Sequence, residues 1–565
     1  MRKLRALVFA VLLVVSMGAM PLSAVGVADS SAVTEHADSV TERPVTASLA
    51  AQEGDDDPHP DGRPDDPTTT DTIGYVEGYW YDDELPVDDQ DNAVVEDDEL
   101  DAVVYRSMAR VEVIRERTFE ETVDVSVRTR EDVSEETTAD IRNVTEAERL
   151  HENVRFEALF MVDRDTDAVD QFAALYTDVV GGFYDPETDE IVVVSDTPES
   201  PELDELVLAH ELEHALQDQY FDLQSFERAT RDQATAQEGL IEGDANTIET
   251  EYEQRCGEQW DCLPPAQTPE GSQPDLNWGI YFTIFQPYDD GPDYVEYLRQ
   301  QGGWDAVDDA FENPPASTSD MMYPEEDREP ANITIEDRSS DRWERLETED
   351  GPDFASFGEG AMATMLAAGA FGESQQSVVS AEEFLTFNAA GGIDDIQYSQ
   401  PYTDGWNGDK LVTYTTDAET VDESAYVWRS EWTSEGDAAA FVDGYQQLLS
   451  INGGEPVEDR QDTTVIDEGF PGAYRVDHEG TTVTIVRAPS VDELSEIHEG
   501  GAESDSDSET ETETGAENET QTTETNADNE TAGDESGDES DELAGFGLVV
   551  ALVALLVGVM AMRRR

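Results

Sequence analysis

The chain has 565 residues, of which 134 are Asp or Glu and 31 are Lys or Arg, giving a formal net charge of -103 at pH 7. A polyanion of this density repels phosphate backbones, which excludes nucleic acid as a partner. Yet 38% of the residues are hydrophobic and fall into periodic runs, which excludes a wholly disordered acidic protein.

At the amino terminus Arg2, Lys3 and Arg5 precede an apolar run from Ala6 to about Val15, followed by the small residues Ser23, Ala24 and Ala28. This reads as a secretory signal peptide over 1–28, outside the fold. Residues 29–74, with Asp55-Asp56-Asp57-Pro58 and Asp65-Asp66-Pro67, read as a disordered acidic linker. A domain is expected over 75–384. Leu100, Val103, Val104, Met108, Val111 and Ile114 recur at helical spacing and predict a helix over 98–118, while Val123, Val125 and Val127 alternate as in a strand. The β-prone runs 181–184 and 190–194, joined by Asp185-Pro186-Glu187-Thr188-Asp189, predict a hairpin ahead of the next helix.

That next helix carries His210-Glu211-Leu212-Glu213-His214. Histidines at i and i+4 of a helix point to one side, and neutral imidazoles are good zinc ligands. Glu211 lies beside that face, placed to act as general base toward a water whose pKa a bound zinc lowers to about 7. Leu208, Leu212, Ala215 and Leu216 occupy the opposite arc, and Leu203, Leu206 and Val207 add apolar surface upstream, so the helix is expected to be covered on two sides. A catalytic zinc needs a third protein ligand. Glu238 and Glu242, one turn apart beside an apolar stripe of Ala234, Ile241, Ala245 and Ile248, are the two candidates, and Asp244 is a candidate partner for a ligating imidazole.

These residues resemble the H-E-x-x-H helix of the zincins and, more narrowly, the gluzincin branch, in which a glutamate on the following helix completes the site. Glu242-Gly243-Asp244-Ala245 looks like the E-G-x-A segment of secreted gluzincin-like families, and this resemblance favours Glu242 over Glu238. It implies an α+β fold with a zincin-like core, a small mixed sheet above the two metal helices and a helical lower half. It also implies that the edge strand above the cleft pairs with an extended peptide substrate. Downstream, Ser317-Thr318 and Met321-Met322-Tyr323-Pro324 resemble an S-T-x-x-x-x-H-P segment found in secreted zincin-like proteins with an H-E-L-x-H-A-L-Q-D-Q helix. Here Tyr323 replaces the family's His. It is a candidate donor to the oxyanion of a tetrahedral intermediate, the alternative being a Tyr that caps a packed loop.

Cys256 and Cys262 are the only cysteines, and outside the cell they are expected to form a small disulfide loop. Residues 202–375 read as mostly helical. From 385 to 495 a small α+β module is expected, with strands at 411–414, 425–428 and 481–486 and a helix opening at 436 and reaching Leu449. Residues 496–542 form an acidic Ser/Thr-rich stalk too poor in apolar residues for a core. Asn143, Asn332, Asn518 and Asn529 head glycosylation sequons. The uncharged run 543–562 before Arg563-Arg564-Arg565 is long enough to span a bilayer. With Ala544-Gly545-Phe546-Gly547 it also resembles the archaeal P-G-F sorting signal, which an archaeosortase exchanges for a lipid; Ala544 stands where that signal has Pro. Lys3 and Lys410 are the only lysines, and this composition resembles that of haloarchaeal proteins, whose carboxylates keep the surface hydrated in molar salt.

The sequence thus points to a membrane-anchored, cell-surface zinc metallopeptidase of the zincin type. The alternative is a non-catalytic glycosylated envelope protein that keeps the scaffold for structure or binding.

Overall fold

In the computed structural model the described residues are Leu13–Val15 and 63–498, apart from 176–179, 227, 267–275, 327, 349–351, 373–374, 388–392 and 459. Most of the expected signal peptide and linker, the stalk beyond 498, Asn518, Asn529 and the apolar tail lie outside them. Among the described residues no helix is long and apolar enough to cross a membrane.

The fold is α+β, and its first half builds a small mixed sheet over two long helices. In chain order come β1 (Leu13–Val15), β2 (Tyr75–Val76), β3 (Tyr79–Trp80), α1 (Asp97–Arg115), β4 (Asp124–Arg128), α2 (Arg130–Arg142), α3 (Glu146–Ala158), α4 (Ala168–Leu175), β5 (Val180–Asp185) and β6 (Glu190–Val194). The four-stranded sheet runs β1-β5-β6-β4. β5 and β6 are the expected hairpin, antiparallel with Tyr184 opposite Ile191, and β4 lies parallel to β6. Within the expected signal peptide, Leu13 pairs with Phe183 on the outer side of β5.

α5 (Glu205–Phe221) starts where the Asp204 side chain accepts from the Leu206 and Val207 amides. Its apolar arc packs as the periodicity predicts. Leu208, Ala209, Leu212, Ala215 and Leu216 share one core cluster with Val103 and Met108 of α1 and with Tyr184 and Ile191 of the hairpin. A fully buried Leu side chain contributes about 1.5–3 kcal/mol, so this arc fixes which face of α5 turns away from the core. α6 (Arg231–Arg255) is capped by Thr230, whose hydroxyl accepts from the Gln233 amide. It crosses α7 (Trp278–Gly302) at glycine: a Cβ on Gly243 would lie 2.2 Å from the Gly291 carbonyl oxygen. Only glycine permits so close a backbone approach. α8 (Trp304–Glu312), α9 (Thr318–Met322), β7 (Glu344–Arg345), α10 (Gly358–Ala367), α11 (Ala381–Phe384), β8 (Leu385–Phe387) and β9 (Ile393–Ile396) follow.

The carboxy-terminal half adds β10 (Trp406–Thr415), β11 (Ser424–Trp432), α12 (Glu435–Ile451), β12 (Glu455–Val457), β13 (Arg460–Ile466), β14 (Gly472–Glu479), β15 (Thr482–Ala488) and α13 (Leu494–Ile497). Its seven-stranded antiparallel sheet runs β12-β13-β14-β15-β11-β10-β7. β10, β11, β15 and α12 fall on the predicted segments. The sheet begins earlier than the expected border at 385, because β7 pairs with β10 through Arg345 and Tyr414; a two-residue strand has no periodicity to read. One core cluster joins Val154 and Phe156 of α3 and Met365 of α10 to Trp428 and Tyr474 of the sheet. The carboxy-terminal half is therefore packed on the first half through a shared core.

Candidate metal centre

His210 and His214 stand one turn apart on α5, 1% and 0% exposed. The helix is buried along most of its length, so both imidazoles point into protein. Glu242 reaches them from α6, its Oε2 lying 3.2 Å from His210 Nε2 and 3.6 Å from His214 Nε2. One ligand atom from each of the three lies within 4.8 Å of the others, the single such group found among the described residues. Glu238 is not part of it. Burial pushes the Glu238 carboxyl up to about 7 against the pull of Arg228 and Arg231, with the Glu242 charge adding to the rise.

The charges inside the cluster are mutually compensating. Burial alone would raise the Glu242 carboxyl, but His214 and His210 outweigh it and hold the group down at about 2. Burial would likewise lower His210, yet the hydrogen bonds to Glu242 and Glu249 push it up to about 10. A cation bound between these atoms displaces that proton, so uptake of a metal releases protons.

Three buried atoms here have no hydrogen-bond partner: His214 Nε2, Glu242 Oε1 and Glu211 Oε1. Leaving a buried polar atom unsatisfied costs about 1–3 kcal/mol, so three on adjacent side chains mark a place built for something else. Glu211 itself is oriented by the sheet, its Oε2 accepting from the Tyr184 amide of β5 at 2.8 Å. Burial raises its carboxyl to about 7, opposed by His214 and His210.

A second layer aims the imidazoles. His210 Nδ1 lies 3.3 Å from Glu249 Oε2, and His214 Nδ1 lies 3.0 Å from Gln217 Oε1. Gln217 Nε2 donates to the Ile241 carbonyl and to Asp244 Oδ2. Asp244 touches Arg115 and Gln217, and Gln217 in turn reaches the His214 imidazole. Glu249 and Gln217 were missed, although a signal existed. Glu249 follows Glu242 by seven residues and Gln217 follows His214 by three, so each shares a helix face with a ligand.

A family described as Domain of unknown function (DUF8575) matches residues 344–498. That span is the carboxy-terminal sheet with its flanking helices, and the His-Glu cluster lies outside it. No curated protein and no solved structure matches the chain.

The remaining sequence candidates fall elsewhere. Tyr323 caps the end of α9, and its hydroxyl is engaged by Glu359 Oε1 at 2.9 Å and Ser399 Oγ at 2.7 Å. Its ring lies under the Arg328 guanidinium. These contacts hold the Tyr323 hydroxyl at the end of α9, and the three-residue metal group does not include it. Cys256 and Cys262 form the expected disulfide, just past the end of α6. Asn143 and Asn332 are exposed, as glycosylation requires.

Proposed function

We propose that the protein is a zincin-like, zinc-dependent metallopeptidase that acts outside the cell and is held at the membrane by its carboxy-terminal tail. The observation that carries the reading is the convergence of three unpartnered buried atoms, on His214, Glu242 and Glu211, beside His210 Nε2. Two imidazole nitrogens and one carboxylate are a donor set suited to zinc, and three protein ligands leave a coordination position open, as catalysis needs. His210, His214 and Glu242 would hold the ion. When bound, zinc supplies a Lewis acid that polarises the scissile carbonyl and acidifies water.

The chain's own residues supply the rest. Oε2 of Glu211 is held by the Tyr184 amide, and its buried, unpartnered Oε1 is the atom left to act as base. That oxygen takes a proton from the attacking water as the water oxygen bonds to the carbonyl carbon. It then gives the proton to the amine nitrogen as the C–N bond breaks. Burial raises this carboxyl above the ordinary carboxylate range, the direction a group that both takes and returns a proton needs. The substrate class follows from β5. Its outer side takes an antiparallel strand, as β1 does, and the same strand positions Glu211 through Tyr184. β1 falls within the expected signal peptide, and its removal would leave this side of β5 open to an extended peptide, held by main-chain hydrogen bonds close to the base. The apolar termini and four sequons fit a surface protein.

Metal analysis of the chain purified in high salt, with Glu211→Gln alongside, tests the reading. About one zinc per chain is expected in both proteins, with cleavage of a peptide library by the wild type and a loss of orders of magnitude in the variant. A wild type that takes up no zinc on reconstitution sinks the metal centre. Zinc without hydrolysis leaves a binding scaffold, and an active Glu211→Gln protein removes Glu211 as the base.

A further inference from the structure

We propose that Arg115, through Asp244 and Gln217, is a positioning residue that keeps an acceptor against His214 Nδ1 and so leaves His214 Nε2 bare toward the metal position. The proposal rests on the metal-centre reading and concerns a different residue set. Arg115 lies at the end of α1, far in sequence from both metal helices, yet is 2% exposed. Its guanidinium is pinned on three sides. Nε donates to Glu213 Oε1 at 3.2 Å and to Asp244 Oδ2 at 3.3 Å, Nη2 donates to Asp308 Oδ1 at 2.8 Å, and the Trp304 ring lies 4.4 Å away.

From there a continuous chain runs to the imidazole. Asp244 Oδ2, the oxygen that faces Arg115, also accepts from Gln217 Nε2 at 3.2 Å, and Gln217 Oε1 lies 3.0 Å from His214 Nδ1. A glutamine amide has two ends, a donor and an acceptor, and its neighbours decide which end points where. Here both neighbours on the far side, Asp244 Oδ2 and the Ile241 carbonyl, only accept. They therefore claim the NH2 group and leave the oxygen for His214. Facing an acceptor, a neutral His214 places its single proton on Nδ1, which leaves Nε2 to the metal position beside Glu242. With Asp244 an amide, only the Ile241 carbonyl would still hold the NH2 group, and in the fraction of molecules where Gln217 turned over His214 would accept at Nδ1 and carry its proton on Nε2, where it binds no metal. Arg115 matters because it holds Asp244 in place as an acceptor. The opposite imidazole needs no such chain, since Glu249 faces His210 Nδ1 directly.

The test uses two readouts in the full chain in high salt: 15N shifts of His214 in metal-free protein, at a pH where titration shows the ring neutral, and zinc affinity by chelator competition. The wild type is expected to show Nδ1–H alone. Asp244→Asn and Gln217→Leu should each show a mixture of tautomers and bind zinc about 10- to 100-fold more weakly. Arg115→Lys keeps a cation without the fork and should shift both signals in the same direction. A merely structural role would lower the melting temperature and leave the tautomer unchanged. Folded Asp244→Asn and Gln217→Leu proteins with a single Nδ1–H tautomer and wild-type zinc affinity overturn the proposal. If the wild type takes up no zinc but the tautomers behave as described, the metal reading fails while the positioning role stands.

Discussion

Gly243→Ala tests whether the helix crossing places the third ligand. Gly243 follows Glu242 directly, and an added Cβ would sit 2.2 Å from the Gly291 oxygen, 2.4 Å from its carbonyl carbon and 3.0 Å from its Cα. The obstacle is backbone, so no side chain can swing aside. Restoring an ordinary contact of about 3.4 Å requires α6 and α7 to separate by about 1 Å. Two effects then oppose each other in stability: overpacking costs about 1–3 kcal/mol, while alanine in a helix gains about 1 kcal/mol over glycine. The net is a modest loss, on the order of 1 kcal/mol, or a few degrees of melting temperature. Metal binding should suffer far more, because ligand distances tolerate only about 0.2 Å. Zinc affinity is expected to fall by a factor of 100 or more in a protein that still folds. Gly291→Ala, whose Cβ would lie 2.3 Å from the Gly239 oxygen, attacks the same crossing from α7 and should act alike. Chelator competition beside a thermal melt separates the two effects. A Gly243→Ala protein that melts higher and binds zinc as tightly as the wild type would refute the argument that this contact fixes Glu242.

Glu242→Ala should abolish most zinc affinity, whereas Glu238→Gln, outside the cluster, should change it only a few-fold; the reverse ranking by chelator competition would make Glu238 the ligand. Glu112 accepts from the Gly74 and Phe119 amides, and burial pushes its carboxyl up to about 8. Because the folded chain holds this proton more tightly than the unfolded one, the contribution is full below about 4.5 and is lost as pH rises toward 8. Glu112→Gln, which cannot accept both amides, should be less stable throughout but show a flatter stability curve in that window by urea titration. At 0.1 M salt the Debye length is about 10 Å, so a chain of net charge -103 should unfold on dilution from molar salt; a circular-dichroism titration with full structure at 0.1 M would contradict this.

What could be read from sequence was local. The α5 face, the hairpin before it, the disulfide loop and most strands of the carboxy-terminal sheet repeat at periods of 3.6 or 2, and these periods survive folding because each element buries one face. His210, Glu211 and His214 belong to this class: their spacing on one helix already puts them together. Choosing Glu242 over Glu238 needed more. Both lie on α6 one turn apart, and only the packing of α6 between α5 and α7, the latter met at Gly239, Gly243 and Gly291, decides which carboxylate meets the imidazoles. The same holds for the second layer. Arg115 is 129 residues from Asp244, and the Tyr184 amide is 27 from Glu211; no periodicity links them, because such pairs arise from how elements pack. Tyr323 shows the converse, since a motif position suggested an oxyanion donor and the packing of α9 against Glu359 and Ser399 gave its hydroxyl other partners. Sequence determined which side chains are candidates for the chemistry, and tertiary packing decided which of them meet and which atoms face one another, because a periodic pattern specifies a face and only a packed neighbour specifies a distance.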